Sequence, residues 1–130
     1  MGVIDIFDSQ GFFEAVIMQN ADKLRAYFEP HAIIRWEDSH EQLTTDGYVR
    51  ATCEYPGDWQ GKIKSITPLA CDDADTVVVS NIYSSDGDNF YVISFFTFNA
   101  DKSLISQLVE YYSAVNEPPE WRKDLSIRTK

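Results

Sequence analysis

Residues 75–113 read DTVVVSNIYSSDGDNFYVISFFTFNADKSLISQLVEYYS, and this stretch decides the fold. Its β-branched and aromatic runs, at about 75 to 85, 89 to 98 and 103 to 113, read as strands. They are separated by Asp86-Gly87-Asp88 and Asn99-Ala100-Asp101, both of which carry turn chemistry. Asp86-Gly87 is the firmest hairpin signal, because glycine adopts a positive φ without steric cost. A similar run at about 61 to 70 comes before Asp72-Asp73 and Asp75, which supply the first turn. Consecutive hairpins of this kind make an antiparallel meander.

Upstream the periodicity changes. Residues 3 to 18 place Ile4, Phe7, Phe12, Phe13, Val16 and Ile17 at near-helical spacing, with Gly11 as a possible break, so one helix or two short ones are expected. Asn20 caps a further turn carrying Leu24, Tyr27 and Phe28, and Pro30 ends it because the residue before proline avoids helical torsions. From His31 to Asp38 the pattern alternates, with Ala32, Ile34 and Trp36 on one face. Residues 39 to 44 read as a polar loop, and Thr45 is the expected cap of a helix running through Val49 and Cys53 to Pro56-Gly57. Helices, a strand, a helix and four strands in that order give an α+β fold. A sheet covered by helices on one face only has to curl around its core. After Asn116, Pro118-Pro119 ends the ladder; Trp121 is expected to pack back on the body, with residues 123 to 130 fraying.

Composition narrows the function classes. At 130 residues the chain suits a single domain, 1–130, that needs no disulfide or metal to fold. Three Trp, seven Tyr and eight Phe supply more ring surface than a minimal core uses, which leans towards a lined cavity or a buried subunit contact. A formal net charge of −10 repels phosphate backbones and anionic lipid, so neither nucleic acid nor an acidic membrane is expected as a partner. The first segment contains Asp5 and Asp8 and no basic stretch, and no apolar run approaches the ~20 residues of a membrane span, so the expectation is a soluble, cytoplasmic protein. Cys53 and Cys71 fit neither a zinc pattern nor a disulfide framework, and His31, His40 and Glu41 match no standard ligand spacing. No metal and no cofactor is expected.

The order of elements carries a resemblance. So do Phe28-Glu29-Pro30-His31-Ala32, leading into a strand that ends Trp36-Glu37-Asp38, and a last strand reading Leu108-Val109-Glu110-Tyr111-Tyr112. Together they resemble the nuclear-transport-factor-2-like superfamily, especially its SnoaL-like members, over nearly the whole chain. The resemblance implies a cone-shaped, cystatin-like fold: a curved antiparallel sheet and N-terminal helices that enclose a pocket. It also implies a homodimer through the outer sheet face. Members include ketosteroid isomerases, scytalone dehydratase, polyketide cyclases, limonene-epoxide hydrolases and many proteins without a catalytic role, so membership alone assigns no reaction.

Strand alternation then reduces the pocket question to a choice between two faces. On the last strand Ser106, Leu108, Glu110 and Tyr112 share one face, and similarity to the epoxide hydrolases, whose pocket acid falls on Glu110, favours that set as inward. On the first strand the corresponding set is Ala32, Ile34, Trp36 and Asp38, since the ketosteroid isomerases place an acid near that strand's end. Asn81 and Tyr83 are candidates on the middle strand, and Trp36 and Trp59 either wall the pocket mouth or serve as ordinary core rings. A carboxylate in an aromatic pocket has its charged form disfavoured, which suits it to proton transfer. Glu110 and Asp38 are therefore the candidate acid and base, with Tyr83 or Tyr112 as donor to a developing enolate. The plainer alternative pairs Glu110 with Arg35 or Arg50 and leaves Asp38 capping a loop in water. Ser80-Asn81-Ile82-Tyr83 contains neither arginine nor acid, so epoxide opening is not expected. Three functions stay open: a proton-transfer isomerase, cyclase or dehydratase acting on a small apolar cyclic molecule; a non-catalytic ligand binder; and a dimeric interaction module whose sheet face, including Phe90, Tyr91, Phe95 and Phe96, holds subunits together.

Overall fold

A computed structural model describes residues 7–70 and 74–129. Ile4, Asp5, Cys71, Asp72 and Asp73, which enter the expectations above, lie outside the described residues. Helix α1 spans Ser9–Ile17, and the Asp8 carboxylate caps it by accepting from the Gly11 N–H at 2.8 Å. Gly11 thus sits in the first turn of a continuous helix and does not break it. Helix α2, Ala21–Arg25, is capped by Asn20 as expected. Strand β1 runs Phe28–Trp36, starting three residues before the alternation places it and taking in Pro30. Proline is tolerated there because the ladder is interrupted: β1 advances from Phe28 to Ile33 while its neighbour advances only from Ile105 to Gln107.

A 3₁₀ turn, Glu37–Ser39, follows, and then β2, Glu41–Leu43, a three-residue strand in what reads from sequence as a polar loop. Helix α3, Thr45–Cys53, is capped by Thr44 and not by Thr45; the Thr44 hydroxyl accepts from the Gly47 N–H at 3.0 Å. The last four strands are β3, Trp59–Pro68; β4, Thr76–Ser84; β5, Asn89–Phe98; and β6, Ile105–Ala114. They form the expected meander in one six-stranded sheet of order β2-β1-β6-β5-β4-β3. The sheet is mixed, not wholly antiparallel, because β1 and β6 run parallel. The reason is connectivity: β2 takes one edge of β1, α3 carries the chain to the far side, and the meander works back until β6 fills the edge of β1 that is left. The sheet is open, with β2 and β3 at its edges.

All three helices cover one face. Phe12 and Ala15 of α1, Leu24 of α2 and Tyr48 and Val49 of α3 join Ala32, Ile34, Val78, Phe96 and Leu108 of the sheet in one buried cluster. Each large side chain buried this way is worth about 1.5–3 kcal/mol. Phe7 lies 4.9 Å from the Phe96 ring and 4.8 Å from that of Phe98, tying the start of the described chain to β5. The same end of β5, beside the start of β4, is held by Asp75, whose carboxylate accepts from the Phe98 N–H at 2.8 Å and from Lys102 Nζ at 2.9 Å.

Two irregularities redirect side chains. Opposite the step from Thr97 to Phe98, β6 passes from Gln107 to Ile105, so Ser106 is the extra residue. Its hydroxyl bonds the Thr97 carbonyl at 3.1 Å, and Ile105, fully buried, takes the inward place that strict alternation gives to Ser106. A second shift lies between Ile63 and Ser65 of β3. Such bulges bend a strand and increase its twist, which curves the sheet over the helices. The tail departs from expectation. A 3₁₀ segment, Glu120–Leu125, leaves Trp121 74% exposed, with the Arg122 guanidinium over its ring instead of the body of the protein.

Gly61 lies where α1 comes close to the sheet. A Cβ there would stand 2.4 Å from the Asn81 carbonyl oxygen and 3.0 Å from Phe13 Cζ, so α1 packs against β3 only because that position is bare. Gly61→Ala is expected to lower unfolding free energy by about 1–3 kcal/mol, the usual cost of overpacking. Urea denaturation measures this, and an unchanged midpoint would contradict the close approach.

Candidate functional site

The site is built where three strands meet. Register sets Glu110 of β6 opposite Trp36 of β1 on one side and Ser94 of β5 on the other. The carboxylate is therefore met from both flanks: Trp36 Nε1 donates to Oε1 at 3.1 Å and Ser94 Oγ donates to Oε2 at 2.6 Å. Glu110 is 4% exposed. Among the described residues no cation pairs with it; Arg50 is bonded to Glu54 at 3.0 Å and Arg35 is exposed, so neither arginine pairing occurs. Burial raises the Glu110 pKa above the usual carboxylate range. The Ser94 and Trp36 hydrogen bonds pull it back, the negative charge of Asp38 lifts it further, and the net direction is upward.

Two phenols share this surrounding. Tyr112 faces the same side of β6 as Glu110 and makes a side-chain hydrogen-bond interaction with it. Burial, followed by the charges of Glu110 and Asp38, holds the Tyr112 phenol well above its ordinary pKa. Tyr48 of α3 is held high mainly by burial and then by Glu110. Both are therefore hydroxyls at any ordinary pH. Asp38 sits in the 3₁₀ turn that continues β1, where its Oδ1 accepts from the backbone N–H of Tyr112 at 3.2 Å. That bond ties the end of β1 to β6 beyond the last paired residues and leaves the rest of the carboxylate exposed.

Above this cluster lies a half-open cavity of about 360 Å³. Trp36, Ile82, Phe90 and Tyr112 form its sheet side, Val16 and Ile17 of α1 and Ala51 and Thr52 of α3 its helical side, and Tyr55, Trp59 and Asp38 its rim. The rings meet edge to face: Trp36 with Tyr112 at 6.1 Å, Phe90 with Tyr112 at 6.4 Å and Tyr55 with Trp59 at 5.6 Å. Behind Tyr112, a void of about 30 Å³ reaches Glu110, Ser94, Ser80 and Tyr48. That is room for a water molecule among polar partners.

Trp36, Trp59, Tyr112 and Asp38 all line the cavity. Glu110 lies one layer deeper, on the inner void. Ile34 and Leu108 face the same side but are fully buried in the core, outside the cavity wall. Asn81 and Tyr83 face away. Ser80, Ile82 and Ser84 of β4 are the residues turned towards the helices, and Asn81 Nδ2 instead bonds Asn89 Oδ1 and the Phe90 carbonyl on the outer side. The β4 parity set by the central valines could not be read without its partner strand. Phe90 and Phe96, grouped from sequence with the outer sheet face, point inward, while Tyr91 and Phe95 alternate to the other side. Ser94, Tyr55 and Phe90 complete the site unforeseen. Ser94 could not be found by counting back through the hairpin: from the closing pair of Phe98 and Ile105 an even count puts Ile93 opposite Glu110, and only the extra residue Ser106 brings Ser94 there.

No protein-family model and no curated protein matches the sequence. Solved structures do match it. A candidate ketosteroid isomerase from Kribbella flavida superposes with a TM-score of 0.73 at 22% identity, over 94% of this chain and 87% of the other. A nuclear-transport-factor-2-like protein of unknown function from Burkholderia xenovorans gives 0.72 at 16% identity, over 93% and 91%. A candidate SnoaL-like polyketide cyclase from Shewanella denitrificans gives 0.62 at 9% identity, over 81% and 87%. At these identities the likeness establishes the fold alone: the chain has the α+β architecture of these structures.

The raised pKa of Glu110 has a thermodynamic consequence. A carboxyl held above its unfolded value contributes stability in full below the free glutamate pKa and loses it as pH rises through the folded value. Glu110→Gln can still accept from Trp36 and donate to Ser94, so its melting temperature relative to wild type is expected to increase from pH 4 to pH 8. Glu110→Ala removes the acceptor for both buried donors and should cost about 2–4 kcal/mol at any pH in that range. A pH-independent difference between Glu110→Gln and wild type would show that the fold does not raise the pKa of this acid.

Proposed function

We propose that this chain is a small-molecule pocket protein in which one ligand with an apolar body occupies the aromatic cavity under the rim formed by Asp38, Tyr55 and Trp59. The carrying observation is the cavity of about 360 Å³ itself. It falls within the range of ligand sites, roughly 300–1,000 Å³, and is walled by rings with few polar groups converging on it. The Kribbella and Shewanella structures, described as a candidate ketosteroid isomerase and a candidate polyketide cyclase, support a pocket that meets a small molecule.

A second reading adds proton transfer. It is favoured by the Asp38 carboxylate at the cavity rim together with a buried Glu110 behind Tyr112, whose pKa burial raises. In this reading Asp38 takes a proton from carbon adjacent to a carbonyl, and the Tyr112 hydroxyl turns from Glu110 to the oxygen that gains charge. Glu110 acts through Tyr112 and is a positioning residue. Exchange of the α-hydrogens of 1-tetralone in D₂O, followed by NMR, separates the two readings. The catalytic reading expects acceleration over buffer that falls at least 100-fold in Asp38→Asn. Saturable binding of 1-tetralone without accelerated exchange retains the pocket and rejects the catalysis.

The outer sheet face supports a homodimer as part of the same proposal. Ile33, Tyr83 and Tyr111 are each at least 40% exposed there, with Phe95 edge-on to Tyr111 at 6.2 Å. Wild type is expected to elute from gel filtration as a dimer and Tyr111→Asp as a monomer. A monomeric wild type would reject this assembly.

A further inference from the structure

We infer that the ligand of this cavity carries a cationic amine, with its ammonium directed at Asp38 and its apolar body against the rings. The inference deepens the pocket reading and rests on it, but it does not rest on proton transfer.

The cavity lining has few hydrogen-bond donors left to offer a ligand. Its N–H and O–H donors are spent within the protein. The Gln19 side-chain amide donates to the carbonyls of Thr52 at 3.0 Å and Tyr55 at 2.6 Å. Trp36 Nε1 is committed to Glu110, and Trp59 Nε1 donates to the Pro56 carbonyl at 3.2 Å. Ser39 Oγ donates to Glu41 at 2.7 Å, the Thr52 hydroxyl is engaged with Tyr48, and Tyr112 with Glu110. The Tyr55 hydroxyl, on a residue 53% exposed, is the donor left at the rim. What remains is acceptor capacity: at the rim Asp38, whose Oδ1 alone is bonded among the described residues, and inside it the electron-rich faces of the aromatic rings.

Electrostatics select the same ligand. Among the described residues no Lys, Arg or His lines the cavity. Arg50, next in sequence to the lining residue Ala51, turns outward to Glu54. An anionic head would therefore face Asp38, and Glu110 behind it, with no compensating cation. A neutral carbonyl or ether oxygen would find no free donor in the interior and would lose its water bonds without replacement. An ammonium gains on both counts: it supplies the donors that Asp38 lacks and is attracted to the negative faces of the rings. A chain of net charge −10 also raises the local concentration of cations around the mouth.

Three probes of one shape test this: 2-(aminomethyl)naphthalene, 2-(hydroxymethyl)naphthalene and 2-naphthoate, titrated at pH 7 and low salt by tryptophan fluorescence and calorimetry. The amine is expected to bind at least tenfold more tightly than the alcohol, with naphthoate weakest, and the amine advantage should shrink in 0.5 M NaCl. In Asp38→Asn, which keeps an oxygen for the Tyr112 N–H, the advantage should fall below threefold. Equal binding of amine and alcohol by wild type, or an unchanged advantage in Asp38→Asn, overturns the inference while leaving the pocket in place. Failure of all three probes to bind overturns the pocket reading and this inference with it. The wild-type comparison stands even if the variant does not fold.

Discussion

A carboxylate that is 4% exposed, in the middle of a sheet, constrains everything around it. Glu110 has no cation, so its oxygens must be met by neutral donors from both flanking strands, and those donors exist only if β1, β6 and β5 keep one register. A shift by one residue would turn Trp36 or Ser94 to the opposite face and leave a buried acid unpaired. The parallel pairing of β1 with β6 is thereby locked at the point where the two strands also frame the cavity. Asp38 extends the lock by one more bond to the Tyr112 backbone. The same contacts that stabilise the sheet thus decide which side chains reach the ligand space.

The cavity exists because the layers touch unevenly. Near Gly61, α1 approaches β3 as closely as a glycine allows, and the cluster around Phe7, Phe12 and Phe96 fills the opposite end of the fold. Between them, the bulges bend the strands, and the rings of Trp36, Phe90 and Tyr112 lie edge to face without filling the remaining space. Rings are stiff and their edge-to-face packing is directional, so such a wall keeps its shape without a ligand. Tyr55 and Trp59 flank the Pro56-Gly57 turn, where Gly57 has a φ of 118°, and that turn sets the indole against the opening.

Much of this was readable in the chain. The hairpin at Asp86-Gly87, the alternation in β1 and β6 and the capping role of Asn20 follow from local torsions and periodicity, and the structure reproduces them. The inward sets through Trp36, Glu110 and Tyr112 were legible for the same reason. Thr44 in place of Thr45 as cap, and the three-residue β2, escaped notice because a one-residue shift and a short polar strand leave no periodic trace. Asn81 and Tyr83 were assigned to the wrong side because three successive valines give β4 no alternation to read. Trp121 was expected to bury its ring, but apolar character alone does not provide a surface to receive it.

The sequence by itself determined the elements, their order and the parity of each strand that alternates, since these depend on neighbours one to four residues away. Only the tertiary structure decided that β1 and β6 run side by side, that Ser106 yields its place to Ile105, and that Glu110 lies behind the cavity while Asp38 meets it. Those outcomes depend on which strand edge remains free after all the others have paired. They depend equally on how the donors of distant segments are used up, and neither quantity is present in any local stretch of chain.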